Sequence, residues 1–194
     1  YEYYIKERIK ILQNGYNDKW LNILEDKIVE VGNEINMARN NIINIFNDLM
    51  FTYNFDFPKI ELSIENNDFN DLRKKLLQNR QKDRETKRTN DGVHKSDLKL
   101  FYKSKNIFAE YCSTGEQKLF LISLTLLRVF VGVEYKKGSP IVLLDEVFSY
   151  LDDNKKRSLF NELNKLKIQT FITTNNVDIF KELLNENVNL INLE

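Results

Sequence analysis

The sequence contains very few of the residues that build disulfides, zinc sites and tight turns. It has one cysteine, one histidine and two prolines among 194 residues. One cysteine and one histidine cannot complete a zinc site or a disulfide, which agrees with a reducing cytoplasm. No segment reaches the roughly 18 consecutive apolar residues of a membrane helix. We therefore expect a cytoplasmic protein without a membrane span and without a zinc site.

The sequence also lacks the glycine-rich loop that holds nucleotide phosphates in many ATPases. That loop needs the pattern Gly-x-x-x-x-Gly-Lys-Ser/Thr, and none of the six glycines precedes a lysine. An excess charge of either sign is absent as well, because 29 Lys and Arg balance 29 Asp and Glu. The overall charge therefore excludes no class of partner, and only its local distribution is informative.

Positive charge is concentrated in residues 71–105. Twelve Lys and Arg stand against five Asp and Glu there, a net of +7 in a chain that is neutral overall. Such an excess favours binding to a polyanion. The alternative interpretation is that residues 80–92 form a solvated polar loop without a partner. The candidate DNA-binding residues are Arg80, Lys82, Arg84, Lys87 and Arg88.

The pattern of residues 1–92 predicts a mainly helical domain. Helical spacing of apolar residues indicates helices over residues 1–13, from Trp20 to about residues 51–54, and over residues 68–84, with an alternating strand at residues 58–65. The long helix has an apolar heptad seam, typical of a short intramolecular coiled coil or of an amphipathic helix on a core. The seam comprises Leu21, Leu24, Ile28, Val31, Ile35, Ala38, Ile42, Ile45 and Leu49, and the outer faces carry Glu25, Asp26, Lys27, Glu30, Glu34 and Arg39.

The pattern of residues 93–194 predicts an α/β domain, a parallel sheet with flanking helices. Strands and helices alternate in the chain, which indicates parallel pairing of the strands. The expected strands lie at residues 97–103, 107–111, 141–144, 168–173 and 188–193, and the expected helices begin after Ser113 and span residues 154–166 and 177–184.

Two stretches of this second domain carry the candidate chemistry. Ile141–Leu144 reads as a buried strand that delivers Asp145 and Glu146 at its C-terminal end, where parallel α/β sheets bind ligands. Two uncompensated carboxylates at that position are costly, whereas Mg²⁺ and a water molecule that needs orienting would account for both. The stretch 113–117, Ser-Thr-Gly-Glu-Gln, begins an apolar helix, and the free N–H groups of a helix start favour a phosphate.

Ser113 and Glu116 also fit a purely structural interpretation. A hydroxyl followed three residues later by Glu is a capping box, which many helices carry for stability alone. The order of the pieces favours the functional interpretation, because the apolar helix precedes the Asp145-Glu146 strand and Leu151-Asp152 follows it closely. An anion-binding helix start followed by a strand ending in two acids is the layout of ABC- and SMC-type ATPases.

The chain resembles the RecF family of bacterial ATPases, which belongs to the ABC/SMC class. The matching stretches are residues 88–89, 92–98, 111–118, 140–152 and 169–174. The family usually has proline where this chain has Val93. The resemblance implies an ABC/SMC-type ATPase head and a helical lobe with a coiled-coil-like helix. It also implies the C-terminal portion of such a protein, because the family's phosphate loop lies near the N-terminus; this portion would be inactive alone.

The resemblance further implies a role for each site residue. Asp145 would bind Mg²⁺ through the metal's waters, and Glu146 would be the catalytic base that activates the attacking water. The signature that contacts ATP held by the opposite subunit comprises Ser113, Thr114, Gly115, Glu116 and Gln117. Leu151 and Asp152 match the D-loop at the dimer interface, and Thr173 or Thr174 occupies the switch position where transporters of this class have histidine.

The function implied by the resemblance is ATP-dependent DNA binding in recombinational repair, replication restart and the SOS response. The protein would help to load recombinase at gapped DNA. Its partners would be ATP, Mg²⁺, double-stranded and gapped DNA, a second copy in an ATP-dependent homodimer, and RecR with the RecO and RecA pathway. The alternatives are another SMC- or Rad50-like ATPase, or a non-catalytic DNA- or partner-binding remnant of a split gene.

Overall fold

The computed structural model describes residues 1–15, 17–54, 56–65, 71–134, 138–174 and 188–192. The helices in these residues are α1 (Glu2–Gln13), α2 (Asp18–Thr52), α3 (Leu72–Gln78), α4 (Arg80–Thr86), α5 (Thr114–Glu134) and α6 (Asp153–Leu166). The strands are β1 (Ile60–Glu65), β2 (Asp97–Tyr102), β3 (Ile107–Phe108), β4 (Val142–Leu144) and β5 (Thr170–Ile172). Short 3₁₀ turns lie at Val93–Lys95, Ala109–Tyr111 and Val147–Tyr150.

The long helix α2 is continuous over 35 residues, as its apolar pattern predicts. The heptad seam begins buried at Leu21, but Ile42 and Ile45 are 54% and 39% exposed. Gly32 and Met50, which are not part of the seam, are buried instead. A straight helix has 3.6 residues per turn, so a 3.5-residue seam drifts off one face by about 20° per heptad. The amphipathic alternative therefore describes α2 better than a coiled coil.

The segment after residue 71 forms two helices, α3 and α4, where the sequence predicted one, and Asn79 separates them. The interpretation of residues 80–92 as a loop is wrong for its first half, because α4 extends to Thr86. The C-cap of the helix is Lys87, whose φ of 55° lies in the left-handed region. Left-handed residues commonly end helices because they redirect the chain.

The chain divides into two compact units. Unit 1 comprises Tyr1–Asn47 and Leu62–Phe101, and unit 2 comprises Asp48–Glu61 and Tyr102–Glu194. Each unit draws on discontinuous stretches, because α2, β1 and β2 each contain a unit boundary. The sequence predicted contiguous domains, 1–92 and 93–194, and that functional division stays a prediction.

Unit 1 is built around a buried ionic network, which the sequence did not indicate. Arg8 is fully buried and donates from Nε to Glu25 Oε1 at 3.0 Å, from Nη1 to Asp83 Oδ2 at 2.7 Å and from Nη2 to the Leu76 carbonyl at 2.8 Å. Glu25, predicted on an outer face of α2, is also fully buried. That prediction is wrong because pattern analysis places a charged residue in solvent unless a partner is known, and here the partners are distant in sequence.

The sheets agree in part with the predicted parallel architecture. β1, β2 and β3 form one sheet in that order, and β4 pairs in parallel with β5. In the second pair Leu143 lies opposite Phe171, and these two side chains are 74% and 46% exposed. The prediction of a strand buried on both faces is therefore wrong for β4: Val142 and Leu144 are buried, and the alternate side chain points the other way.

Two predictions concern the C-terminal end. The helix predicted at residues 177–184 lies outside the described residues. Residues 188–192 have no regular secondary structure, so the strand predicted at 188–193 is wrong for the part that the structure describes. Within the described ranges, no helix combines the length and the apolar character that crossing a membrane requires.

Candidate functional site

The carboxyl ends of β4 and β5 bring three candidate residues of unit 2 together. The hydroxyl of Thr173 donates to Asp145 Oδ1 at 2.5 Å and accepts from the backbone N–H of Glu146 at 3.0 Å. Because β4 and β5 are parallel, their carboxyl ends meet at one edge, and the N–H of Thr173 donates to the Leu144 carbonyl at 3.0 Å. One threonine thus holds both acidic residues at the strand end.

The backbone of Glu146 is held in an uncommon conformation. Its φ is +53°, in the left-handed region that residues with a Cβ rarely adopt. Three hydrogen bonds support it: the Glu146 N–H donates to Thr173, and the Glu146 carbonyl accepts from Ser149 Oγ at 2.7 Å and from the Ser149 N–H at 3.1 Å. Residues held in such conformations concentrate at functional sites. The turn directs the chain away from the strand directly after the two acids.

The predicted D-loop residues have well-defined structural positions. Leu151 is buried, and Asp152 is the N-cap of α6, where its Oδ1 accepts from the N–H of Lys155 at 2.8 Å. An aspartate cap satisfies a free N–H group and has a favourable charge at the positive end of the helix. Both positions fit a structural role, and a role at a subunit interface stays a prediction.

The signature stretch forms the capping box that its spacing allows. Ser113 Oγ donates to Glu116 Oε2 at 2.9 Å, the N–H of Ser113 donates to the same oxygen at 3.1 Å, and the N–H of Glu116 lies 3.3 Å from Ser113 Oγ. Gln117 Nε2 donates to the Ala109 carbonyl at 2.9 Å. A Cβ added at Gly115 would meet no atom within 4 Å, so space is open beside the helix start.

A lysine that the sequence analysis did not single out contacts this stretch. Lys105 Nζ lies 2.6 Å from Glu116 Oε1. Its hydrogen bond lowers the pKa of Glu116, Ser113 lowers it further, and the pKa of Lys105 is raised by the same pair. Sequence spacing could not have revealed this contact, because the turn between β2 and β3 sets it. Thr114 begins α5 and follows the capping serine.

The two groups of candidate residues are separate within unit 2. Among the described residues, no hydrogen bond or ion pair joins residues 113–117 to Asp145, Glu146 or Thr173. This separation agrees with the prediction that the signature serves a nucleotide bound elsewhere, but it does not test it. Thr174 follows Thr173 beyond the end of β5.

The acidic strand end fits a magnesium ion better than a structural metal. The described residues contain no group of three or more His, Cys, Asp or Glu side chains arranged to hold a metal. Mg²⁺ keeps several of its waters and is bound through one or two carboxylates together with substrate phosphates. Asp145, with Glu146 beside it, offers carboxylates of this kind at the strand end, and a magnesium site there stays a prediction.

The candidate DNA-binding residues separate into two sets. Arg80 is committed within unit 1: it donates to both carboxylate oxygens of Glu25, at 3.0 and 2.7 Å, and to Asp18 Oδ1 at 2.9 Å. Its side chain is only 11% exposed, and these carboxylates occupy its guanidinium, which disfavours the predicted contact of Arg80 with DNA. The other four candidates are exposed on α4 and the turn after it: Lys82, Arg84, Lys87 and Arg88.

Comparisons with known proteins identify the class. The chain belongs to the RecF/RecN/SMC family, since the "RecF/RecN/SMC N terminal domain" matches residues 42–193. Curated RecF proteins are among its relatives in that family. The chain is 36% identical over 198 residues to "DNA replication and repair protein RecF" of Rickettsia rickettsii (strain Sheila Smith), which covers 96% of this chain and 55% of the relative. For Rickettsia conorii the identity is 37% over 190 residues, covering 92% and 53%.

A solved structure gives the same picture. "Structure of the recombination mediator protein RecF-ATP in RecFOR pathway" superimposes with a TM-score of 0.70 at 26% identity, covering 91% of this chain and 52% of that one. The α/β fold of the ABC/SMC class is therefore confirmed. The chain spans about half the length of the curated relatives that it matches.

Proposed function

We propose that this chain supplies the catalytic acids and the signature of an ATP-dependent DNA-binding protein. The observation that carries the proposal is the strand end at which Thr173 holds Asp145 and Glu146 together. The protein would act in recombinational repair, replication restart and the SOS response, and would help to load recombinase at gapped DNA. The family membership and the RecF relatives support this role.

Phosphoryl transfer to water would depend on positioning and on charge stabilisation. Asp145 would hold the waters of Mg²⁺, and the ion would supply positive charge to the phosphates. Glu146 would accept a proton from the attacking water, at a carboxylate whose backbone is fixed by Thr173. Ser113, Gly115 and Gln117 would contact the nucleotide of a second copy, with Leu151 and Asp152 at the interface between the copies.

We also propose that the chain corresponds to the C-terminal portion of a RecF-like protein. Two observations support this interpretation: the chain spans about half the length of its relatives, and its sequence has no phosphate-binding loop of the Gly-x-x-x-x-Gly-Lys-Ser/Thr type. The proposed partners of the whole protein are ATP, double-stranded and gapped DNA, a second copy, and RecR with the RecO and RecA pathway. This proposal places it in the cytoplasm.

The exposed cations of α4 are the proposed DNA contacts. Lys82, Arg84, Lys87 and Arg88 are solvent-exposed, and within the part of the chain that the structure describes their side chains have no carboxylate partner. Of the two acids on α4, Asp83 is buried and accepts from Arg8 at 2.7 Å, whereas Glu85 is exposed and accepts from the side-chain amide of Gln81 at 2.6 Å. Free cations on one short helix and its turn can neutralise successive phosphates without reading sequence.

Salt dependence tests the DNA surface in the protein that carries this chain. Each neutralised phosphate contributes a slope of about −0.9 to the dependence of affinity on salt, so replacing Arg84, Lys87 and Arg88 by Ala should flatten the slope by roughly 2–3 units. The matched control replaces the exposed Lys6, Lys10 and Lys19, which removes the same charge from unit 1. An unchanged slope in the first variant would contradict the DNA contact and would support the alternative interpretation of this segment as a solvated surface.

The catalytic proposal is tested by Glu146→Gln in the protein that carries this chain. The amide can orient a water but cannot accept its proton, so ATP should bind, hydrolysis should stop and an ATP-bound dimer should accumulate. Glu30→Gln, an exposed glutamate on α2, is the matched control and should hydrolyse ATP normally. Hydrolysis by Glu146→Gln at the rate of the unsubstituted protein would show that Glu146 is not the base.

A non-catalytic DNA- or partner-binding module is the second candidate, and one observation favours it. The sequence contains no Gly-x-x-x-x-Gly-Lys-Ser/Thr motif, the pattern that binds the β- and γ-phosphates in ATPases of this type. In that case the surface of α4 would function without ATP. DNA binding that is the same with and without ATP would support this candidate over the first.

A further inference from the structure

Lys105 lies in the turn between β2 and β3 and reaches the start of α5. Its Nζ is 2.6 Å from Glu116 Oε1, and the other carboxylate oxygen of Glu116 accepts from both Oγ and N–H of Ser113, at 2.9 and 3.1 Å. All three residues belong to unit 2. The Lys105 ammonium, the Glu116 carboxylate and Ser113 therefore contact one another in series at the N-terminus of α5.

These contacts determine the charge that an anion meets when it approaches the start of α5. The carboxylate of Glu116 carries a negative charge next to the Ser113 hydroxyl and beside the open space at Gly115. A polyphosphate entering that space would be repelled by Glu116 unless a cation compensates it, because like charges a few ångströms apart destabilise each other. Lys105 is the residue that supplies this compensation.

We propose that Lys105 is a positioning residue for the signature. Lys105 holds Glu116 and compensates its negative charge, so that a nucleoside triphosphate can reach Ser113 and Gly115. This inference rests on the proposed function, in which the signature contacts ATP held by a second copy. It assigns to Lys105 a role that acts through Glu116 and needs no contact with the nucleotide. It also explains why an acidic side chain is tolerated at an anion-binding position.

The test measures ATP-dependent dimerisation of the protein that carries this chain. Lys105→Ala should weaken the dimer about fivefold, since an exposed ion pair contributes energies of this order. Lys105→Arg should dimerise normally because it keeps the charge. Glu116→Gln keeps an acceptor for the capping box but removes the repelling charge, so adding it to Lys105→Ala should restore dimerisation. Rescue by removal of the partner's charge is not expected of a lysine that only stabilises the turn.

Lys103→Ala is the matched control from the same turn. Lys103 pairs with Glu61 at 3.1 Å. The substitution therefore removes an exposed ion pair that lies away from the signature, and it should leave dimerisation unchanged. Lys105→Ala that dimerises normally, or more tightly, while the unsubstituted protein responds to ATP would overturn only the role of Lys105. An unsubstituted protein that does not dimerise with ATP would overturn the proposed function together with this role.

Discussion

The hydroxyl of Thr173 has a donor and an acceptor, and both are used at the strand end. It donates to the carboxylate of Asp145 and accepts from the N–H of Glu146. The sequence marked Thr173 only as a candidate for the switch position. Its contacts with both acids explain how a residue directly after β5 can fix the geometry of residues that follow β4.

We expect Thr173→Val to slow ATP hydrolysis roughly 10- to 100-fold in the protein that carries this chain, because small displacements of catalytic groups have effects of this size. Valine has the same shape but neither donates nor accepts. Thr173→Ser, which keeps the hydroxyl, should retain most of the rate. Steady-state ATP turnover measures both, and a fully active Thr173→Val would show that the acids are positioned by other groups.

Arg8 shows how the protein can supply the hydrogen-bond partners of a buried charged residue. Its guanidinium is fully buried, and Glu25, Asp83, Thr89 and the Leu76 carbonyl each accept a hydrogen bond from it. A buried charge is tolerated only when its partners replace the hydrogen bonds of water. The network ties α1 to α2 and α4 within unit 1.

Replacement of Arg8 by Leu should lower the free energy of unfolding by about 3–5 kcal/mol, because Asp83 and Glu25 lose a buried countercharge. Urea denaturation of this chain measures the effect. Lys6→Leu on the same helix is the control, since Lys6 is exposed and its ion pair with Glu2 contributes little. A similar midpoint for both variants would contradict the importance of the network.

At the scale of elements, the start of α5 responds to pH through Glu116. Lys105 and Ser113 hold the pKa of Glu116 below its ordinary value of 4.5. A carboxylate whose pKa is lowered in the folded state stabilises that state at pH values above its ordinary pKa. This stabilisation is lost as the pH falls through the lowered pKa. The capping box of α5 should therefore weaken only under acidic conditions.

Lys105→Ala should raise the pKa of Glu116 towards 4.5, because the hydrogen bond from Lys105 is the largest cause of the shift. The pKa can be read from the pH dependence of the Ser113 amide signal in NMR spectra of this chain. The control Lys103→Ala should leave the midpoint where it is. An unaltered midpoint in Lys105→Ala would mean that the ion pair does not persist in solution.

At the scale of the whole molecule, the chain contains the acids and the signature but not a phosphate-binding loop. A protein of these 194 residues alone should neither bind ATP tightly nor hydrolyse it, because the β- and γ-phosphates have no cradle. Calorimetric titration with ATP and a turnover assay measure both properties. Turnover above background would contradict the interpretation as the C-terminal portion of a RecF-like protein.

Much of the architecture follows from local sequence patterns. The 35-residue helix, the alternating strand β1 and the strand that precedes Asp145 and Glu146 were predicted because periodicity of apolar residues is a local property. The capping box at Ser113 was predictable for the same reason, since its two partners are three residues apart. The resemblance to RecF rested on contiguous motifs as well.

The tertiary structure decided what depends on residues distant in sequence. The burial of Glu25 and the ion pair between Arg80 and Glu25 depend on residues from α1, α2 and α4, which no sequence periodicity brings together. The exposed face of β4 and the contact between Lys105 and Glu116 likewise depend on which elements pack beside each other. Local patterns set where a chain is helical or extended, whereas the solvation of a charge is set by all the groups that the fold places around it.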